Sequence, residues 1–84
     1  MTIQIKVFWR KEHILTFNAQ SQSGKFKLGS PKHVHEQLIE QLPTNWLADL
    51  RKIINGHIRE FYKDPRYCSF FDETGMIESQ IKSL

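Results

Sequence analysis

Apolar and polar side chains alternate along the first stretch of the chain. Ile3, Ile5, Val7 and Trp9 fall on one side, and Gln4, Lys6, Phe8 and Arg10 on the other, the period of a half-buried strand. The wholly polar Arg10-Lys11-Glu12-His13 follows and predicts a four-residue hairpin loop. Ile14–Ala19 is then the returning strand. Its facing is ambiguous, because Leu15, Phe17 and Ala19 make one apolar set while Ile14 stands on the other side. After the polar loop Gln20–Gly24, Lys25-Phe26-Lys27-Leu28 alternates again and predicts a third strand with both lysines outward.

Beyond Gly29 the period changes. Ser30 is a good helix N-cap and Pro31 suits a first helical position, where its missing N–H costs nothing. Val34, Leu38 and Leu42 then share one side of a helix that Pro43 ends. The longest periodic stretch comes next, capped by Thr44 or Asn45. Leu47, Leu50, Ile54, Ile58 and Phe61 recur at steps of three and four, with Trp46, Ile53 and His57 on one shoulder and Tyr62 on the other. The apolar arc spans about 180°, wider than the ~100° stripe that one neighbour requires, so this helix is expected to meet two surfaces. Asn55-Gly56 is a turn signal elsewhere, yet the phase runs through it and predicts an unbroken helix.

Asp64-Pro65 ends the helix. Arg66–Phe71 has the composition of a short strand, with Tyr67–Phe71 as the optional fourth strand, and Asp72-Glu73-Thr74-Gly75 reads as a turn. In the last segment Ile77, Ile81 and Leu84 fall on one side of a short helix that must dock to persist. The expected fold is therefore α+β: a small antiparallel sheet of three strands, or four, with two helices packed on one face. The domain is placed at residues 1–75, and residues 76–84 are a short docked tail.

Composition narrows the function classes. Eighty-four residues suit one domain with a modest core, and Cys68, the single cysteine, excludes an intrachain disulfide. No run of about 18 apolar residues is present, so the expectation is a cytoplasmic chain with no membrane partner. Charge is uneven. Up to residue 33, Lys6, Arg10, Lys11, Lys25, Lys27 and Lys32 stand against Glu12 alone, whereas Asp64, Asp72, Glu73 and Glu78 outnumber Arg66 and Lys82 after residue 63. Lysines that keep a sheet and its edges soluble explain such a bias; so does an acidic partner.

No signature of catalysis or cofactor binding is present. His33 and His35 on a helix point about 200° apart and cannot share a metal, Cys68 sits in an apolar strand context, and the four glycines form no phosphate loop. The expectation is a non-enzyme with neither metal nor cofactor. Two binding readings remain. The apolar surplus (Phe8, Trp46, Ile53, His57, Ile77 and Ile81) points to a small regulatory or adaptor protein that docks on a larger protein or forms a homodimer. The alternative is a nucleic-acid-binding module that uses the basic patch of Lys6, Arg10, Lys11, Lys25, Lys27 and Lys32 on the N-terminal sheet face.

Overall fold

The computed structural model describes residues 2–22, 25–66 and 68–84, the side chains of Gln22 and Lys25 excepted. The fold is α+β. Its sheet has five antiparallel strands rather than three or four: β1 (Thr2–Trp9), β2 (Glu12–Gln22), β3 (Lys25–Leu28), β4 (Ser69–Phe71) and β5 (Ile77–Ser83). Their order across the sheet is β3-β2-β1-β5-β4. Helices α1 (Glu36–Ile39) and α2 (Trp46–Lys63) follow β3 in the chain. No described helix is long and apolar enough to cross a membrane.

The alternation of β1 sets the layers. Ile3, Ile5 and Val7 are fully buried under α2, and their cross-strand partners Ala19, Phe17 and Leu15 on β2 are buried with them. On the other side of β1, β5 brings Ile81 opposite Ile5 and Ser79 opposite Val7. From α2, Leu50, Ile54, Ile58 and Phe61 complete the core, and Leu38, Ile39, Leu42, Trp46 and Leu47 pack at its margin. The wide apolar arc of α2 is thus met by the sheet and by the α1 segment.

Two local expectations fail and one ambiguity is settled, each for a physical reason. The first hairpin turns on two residues, not four: Trp9 pairs with Glu12, and Arg10 and Lys11 take φ of 51° and 68°. Positive φ at both positions fits the right-handed twist of the strands. Next, a register shift leaves Ile14 without a partner between the Val7–Leu15 and Phe8–His13 pairs. This bulge turns Ile14 into the core beside Leu15, which resolves its ambiguous facing.

The second failure is the first helix, which does not start at Ser30-Pro31. The eleven-residue β2 outruns β3, so its outer backbone groups need partners. Lys32 supplies them, donating to and accepting from Thr16 at 2.7 and 2.8 Å, and the His35 N–H bonds the Ile14 carbonyl at 2.8 Å. Only Glu36–Ile39 remains helical, capped by His35.

The tail is the largest correction. Residues 77–83 are not a helix laid on the domain but a strand inside its sheet, hydrogen-bonded to β1 on one side and to β4 on the other. Ile77, Ile81 and Leu84 fit a helical stripe, but Ile77, Ser79 and Ile81 equally fit a strand face. The Asp72 carboxylate closes the turn before it by accepting from Thr74 Oγ1 and the Ile77 N–H, with Gly75 at φ 72°. The main helix behaves as expected. It begins after Asn45 and runs unbroken through Asn55-Gly56 to Lys63.

Candidate functional site

Both helices lie on one side of the sheet, so the other side is uncovered. Strand alternation assigns its residues. Phe70 stacks on His57 beneath the helix layer, with ring centroids 5.8 Å apart, so its neighbours Ser69 and Phe71 face outward. The cross-strand pairs then line up in rows. One row runs Phe71, Glu78, Phe8, His13 across β4, β5, β1 and β2; the next runs Ser69, Gln80, Lys6, Thr16; a third runs Lys82, Gln4, Asn18. Gln20 and Lys27 pair beyond them.

The first row is aromatic at three of its four positions. Phe71 is 60 % exposed. Phe8 is half-buried, with its ring 5.2 Å from that of His13. His13 Nε2 lies 3.0 Å from the Leu15 carbonyl and 2.9 Å from Thr16 Oγ1, which fixes the imidazole in place. Strands are about 4.8 Å apart, so the two phenylalanines stand roughly 10 Å apart with Glu78 between them. Glu78 accepts hydrogen bonds from Ser69 Oγ and Gln80 Nε2. It is the one carboxylate in these rows, against Lys6, Lys82 and Lys27.

The basic patch is partly assembled here. Lys6 and Lys27 are exposed on the uncovered face, and Lys32 borders it beyond β3. Arg10 does not join them: its guanidinium lies 4.9 Å over the ring of Trp9, which faces the helix layer. Lys11 sits beside it at the hairpin tip, and the side chain of Lys25 lies outside the described residues. Lys82 belongs to the face, which the helical spacing of Ile77, Ile81 and Leu84 conceals in the sequence. Phe71 was missed because no facing was assigned to β4.

The apolar candidates divide three ways. Ile81 and His57 are inside the fold, 1 % and 8 % exposed, and are therefore unavailable as interface residues. The His57 Nδ1 shares a 2.8 Å hydrogen bond with the Ser79 hydroxyl. Burial holds its pKa below the usual histidine value, against the opposing pull of the Phe71 backbone and the Asp72 charge. Trp46, Ile53 and Ile77 do come together, with Trp9, Ile14 and Leu42, around a small apolar cleft of about 150 Å³ at one end of the molecule. Phe8 lies on the opposite side of the sheet.

No known family, curated protein or solved structure matches this chain. Chemistry at the site must therefore be argued from its residues. Among the described residues no three of His, Cys, Asp and Glu converge as metal ligands. His33 and His35 are not helical neighbours at all, since His33 takes φ 52°. Cys68 is exposed at the foot of β4, not buried as its context implied. What the uncovered face offers is stacking surface and positive charge on rigid strands.

Proposed function

We propose that the chain is a small non-catalytic binding protein that takes single-stranded nucleic acid on the uncovered sheet face. The observation that carries this reading is the row Phe71–Phe8–His13, flanked on the same face by Lys6, Lys82 and Lys27. Unstacked bases lie on aromatic rings at a gain of about 1–3 kcal/mol each, and lysines neutralise the phosphates. A flat sheet presents both to an extended strand without rearrangement, which lowers the ordering cost of binding. Duplex DNA, with its bases already stacked, offers the rings nothing.

Docking on a larger protein is the second reading, and its support is narrower. The apolar surplus that favoured it is partly consumed by the fold, because Ile81 and His57 are core. What remains is the cleft beside Trp46 and Ile53. A regulatory or adaptor role, or a homodimer, would use that end of the molecule and leave the uncovered face free.

Fluorescence anisotropy with a labelled mixed-sequence twelve-nucleotide strand tests the first reading. Binding should weaken with salt at a slope of about −0.7 per phosphate contacted, hence roughly −2 for three lysines. Phe71→Ala should cost about 1–3 kcal/mol, and Lys6→Glu with Lys82→Glu should abolish binding with the fold intact. No binding at low salt, or binding indifferent to all three changes, refutes the reading. Nuclease-insensitive recovery of one defined protein, lost on Trp46→Glu, moves the weight to the second.

A further inference from the structure

Beyond the aromatic row, the same face ends in a groove of about 580 Å³ lined by Thr2, Asn18, Gln20, Lys27, Gly29 and Lys32 among others. Its lining holds two lysines and, among the described residues, no carboxylate. Asn18 is one of its lining residues, and the Asn18 side-chain oxygen is buried with no hydrogen-bond partner among the described residues. An orphaned buried acceptor costs about 1–3 kcal/mol, and native proteins rarely keep one without a reason. Gly29 adds to the shape. Its N–H donates to the Asn18 backbone carbonyl at 2.9 Å, and a Cβ there would stand 3.3 Å from that oxygen. The position beside Asn18 is therefore kept free of a side chain.

The complement of this groove is an anionic group next to a hydrogen-bond donor. A nucleotide carries both. Building on the nucleic-acid reading above, we propose that the groove seats one nucleotide of the bound strand, its phosphate near Lys27 and Lys32 and its base amine donating to Asn18 Oδ1. The terminal torsion of asparagine is soft, so the carboxamide turns its edge into the groove without moving β2. Adenine pairs an amine with an adjacent ring-nitrogen acceptor, the pattern that an asparagine amide reads with two hydrogen bonds. Cytosine offers the same pair at N4 and N3. Thymine and uracil place a carbonyl where the amine would be, so with Oδ1 in that position an acceptor meets a second acceptor, and pairing them requires the amide to turn over and present Nδ2 instead. The face thus stacks bases of any kind at one end and selects an amino base at the other.

The test uses labelled eight-nucleotide strands dA8, dC8 and dT8 with the full chain. Wild type should bind dA8 and dC8 more tightly than dT8, by roughly 5- to 150-fold for one well-read base. In Asn18→Ala the three affinities should converge, as dA8 and dC8 lose the bond to Asn18 Oδ1. Asn18→Thr, which restores strand propensity but not the carboxamide, should converge them as well. Thermal melting serves as the fold control, and loss of an unpaired acceptor should leave the midpoint unchanged or higher. Equal affinities in wild type, or a preference that survives both Asn18 changes, overturns the groove assignment. The broader reading survives that result if Phe71→Ala still weakens all three strands. Failure of every strand to bind at low salt overturns both.

Discussion

Ile81→Ala tests the placement of β5 most directly. Ile81 is 1 % exposed, pairs with Ile5 across β1, and belongs to the same core cluster as Phe17 and Ile54. Truncation removes three carbons from a packed site between central strands and a helix. The neighbours are held by the β1–β5 ladder and cannot collapse into the space, so the cost should fall in the about 2–5 kcal/mol range of buried isoleucine changes. For 84 residues the total stability is roughly 4–13 kcal/mol, so this one change removes a large share of it. Urea unfolding followed by tryptophan fluorescence reads the loss as a lower midpoint at unchanged slope. In a domain of this size the melting temperature should drop by roughly 8 °C or more. The internal controls are Lys82→Ala and Leu84→Ala, one and three residues on, both exposed, each expected within about 0.5 kcal/mol of wild type. A loss under about 0.5 kcal/mol at Ile81, equal to its controls, would mean that the segment is not an inner strand.

Other expectations follow from single sites. Gly56→Ala should stabilise by about 0.4–1 kcal/mol, since a Cβ there meets nothing within 4 Å; destabilisation would place a break in α2. Replacing Arg10-Lys11 by Asn-Gly should raise the melting temperature, because left-handed backbone costs about 1–2 kcal/mol per ordinary residue; no gain would argue against the two-residue turn. His57 should make stability pH-dependent. Above pH 6.5 the imidazole is neutral in both states; below it the unfolded chain takes up a proton that the buried ring resists. Stability then falls as pH drops and levels off below the depressed folded-state pKa. Urea midpoints from pH 7.5 to 5 should show this fall, and His57→Gln should flatten it. Glu78→Gln should tighten strand binding by removing the one carboxylate in the row; weaker binding would place the strand elsewhere.

Much of the architecture is legible in the spacing of apolar residues. The alternation of Ile3-Ile5-Val7 and the three-four spacing of Leu47–Phe61 each belong to a long element whose period is unambiguous, and both elements form where the spacing puts them. The failures fall on short segments. Met76–Leu84 carries Ile77 and Ile81, four residues apart and so compatible with either period, and only the unpaired edge of β1, invisible to local pattern, decides for a strand. Ser30-Pro31 is a sound capping signal that loses to the backbone groups of Ile14 and Thr16 at the edge of β2. The site suffers in the same way. Lys6, Phe8 and Lys27 were legible as outward residues, whereas Phe71 and Lys82 join them only once β4 and β5 are known to continue the sheet.

The positive face also bears on why its lysines are there. A lysine on an edge strand is explained by solubility, because it blunts pairing with another chain, and Lys27 on β3 fits that account. Lys6 does not. It stands on β1, an inner strand flanked on both sides by β2 and β5, where no edge needs guarding. A solvated outer face has to be polar, but it need not be of one sign. Helix α2 is cationic too, with Arg51, Lys52, Arg59 and Lys63 against Asp49 and Glu60, but there Lys63 pairs with Glu60 at 3.1 Å. On the uncovered sheet face Lys6, Lys27 and Lys82 stand against Glu78 alone, and Glu78 bonds Ser69 and Gln80 rather than a lysine. If that bias is for solvation alone, reversing it with Lys6→Glu and Lys82→Glu leaves both stability and every binding assay untouched. If it is for a phosphate backbone, stability holds within about 0.5 kcal/mol, as for ordinary surface changes, while strand affinity collapses and its salt dependence goes with it.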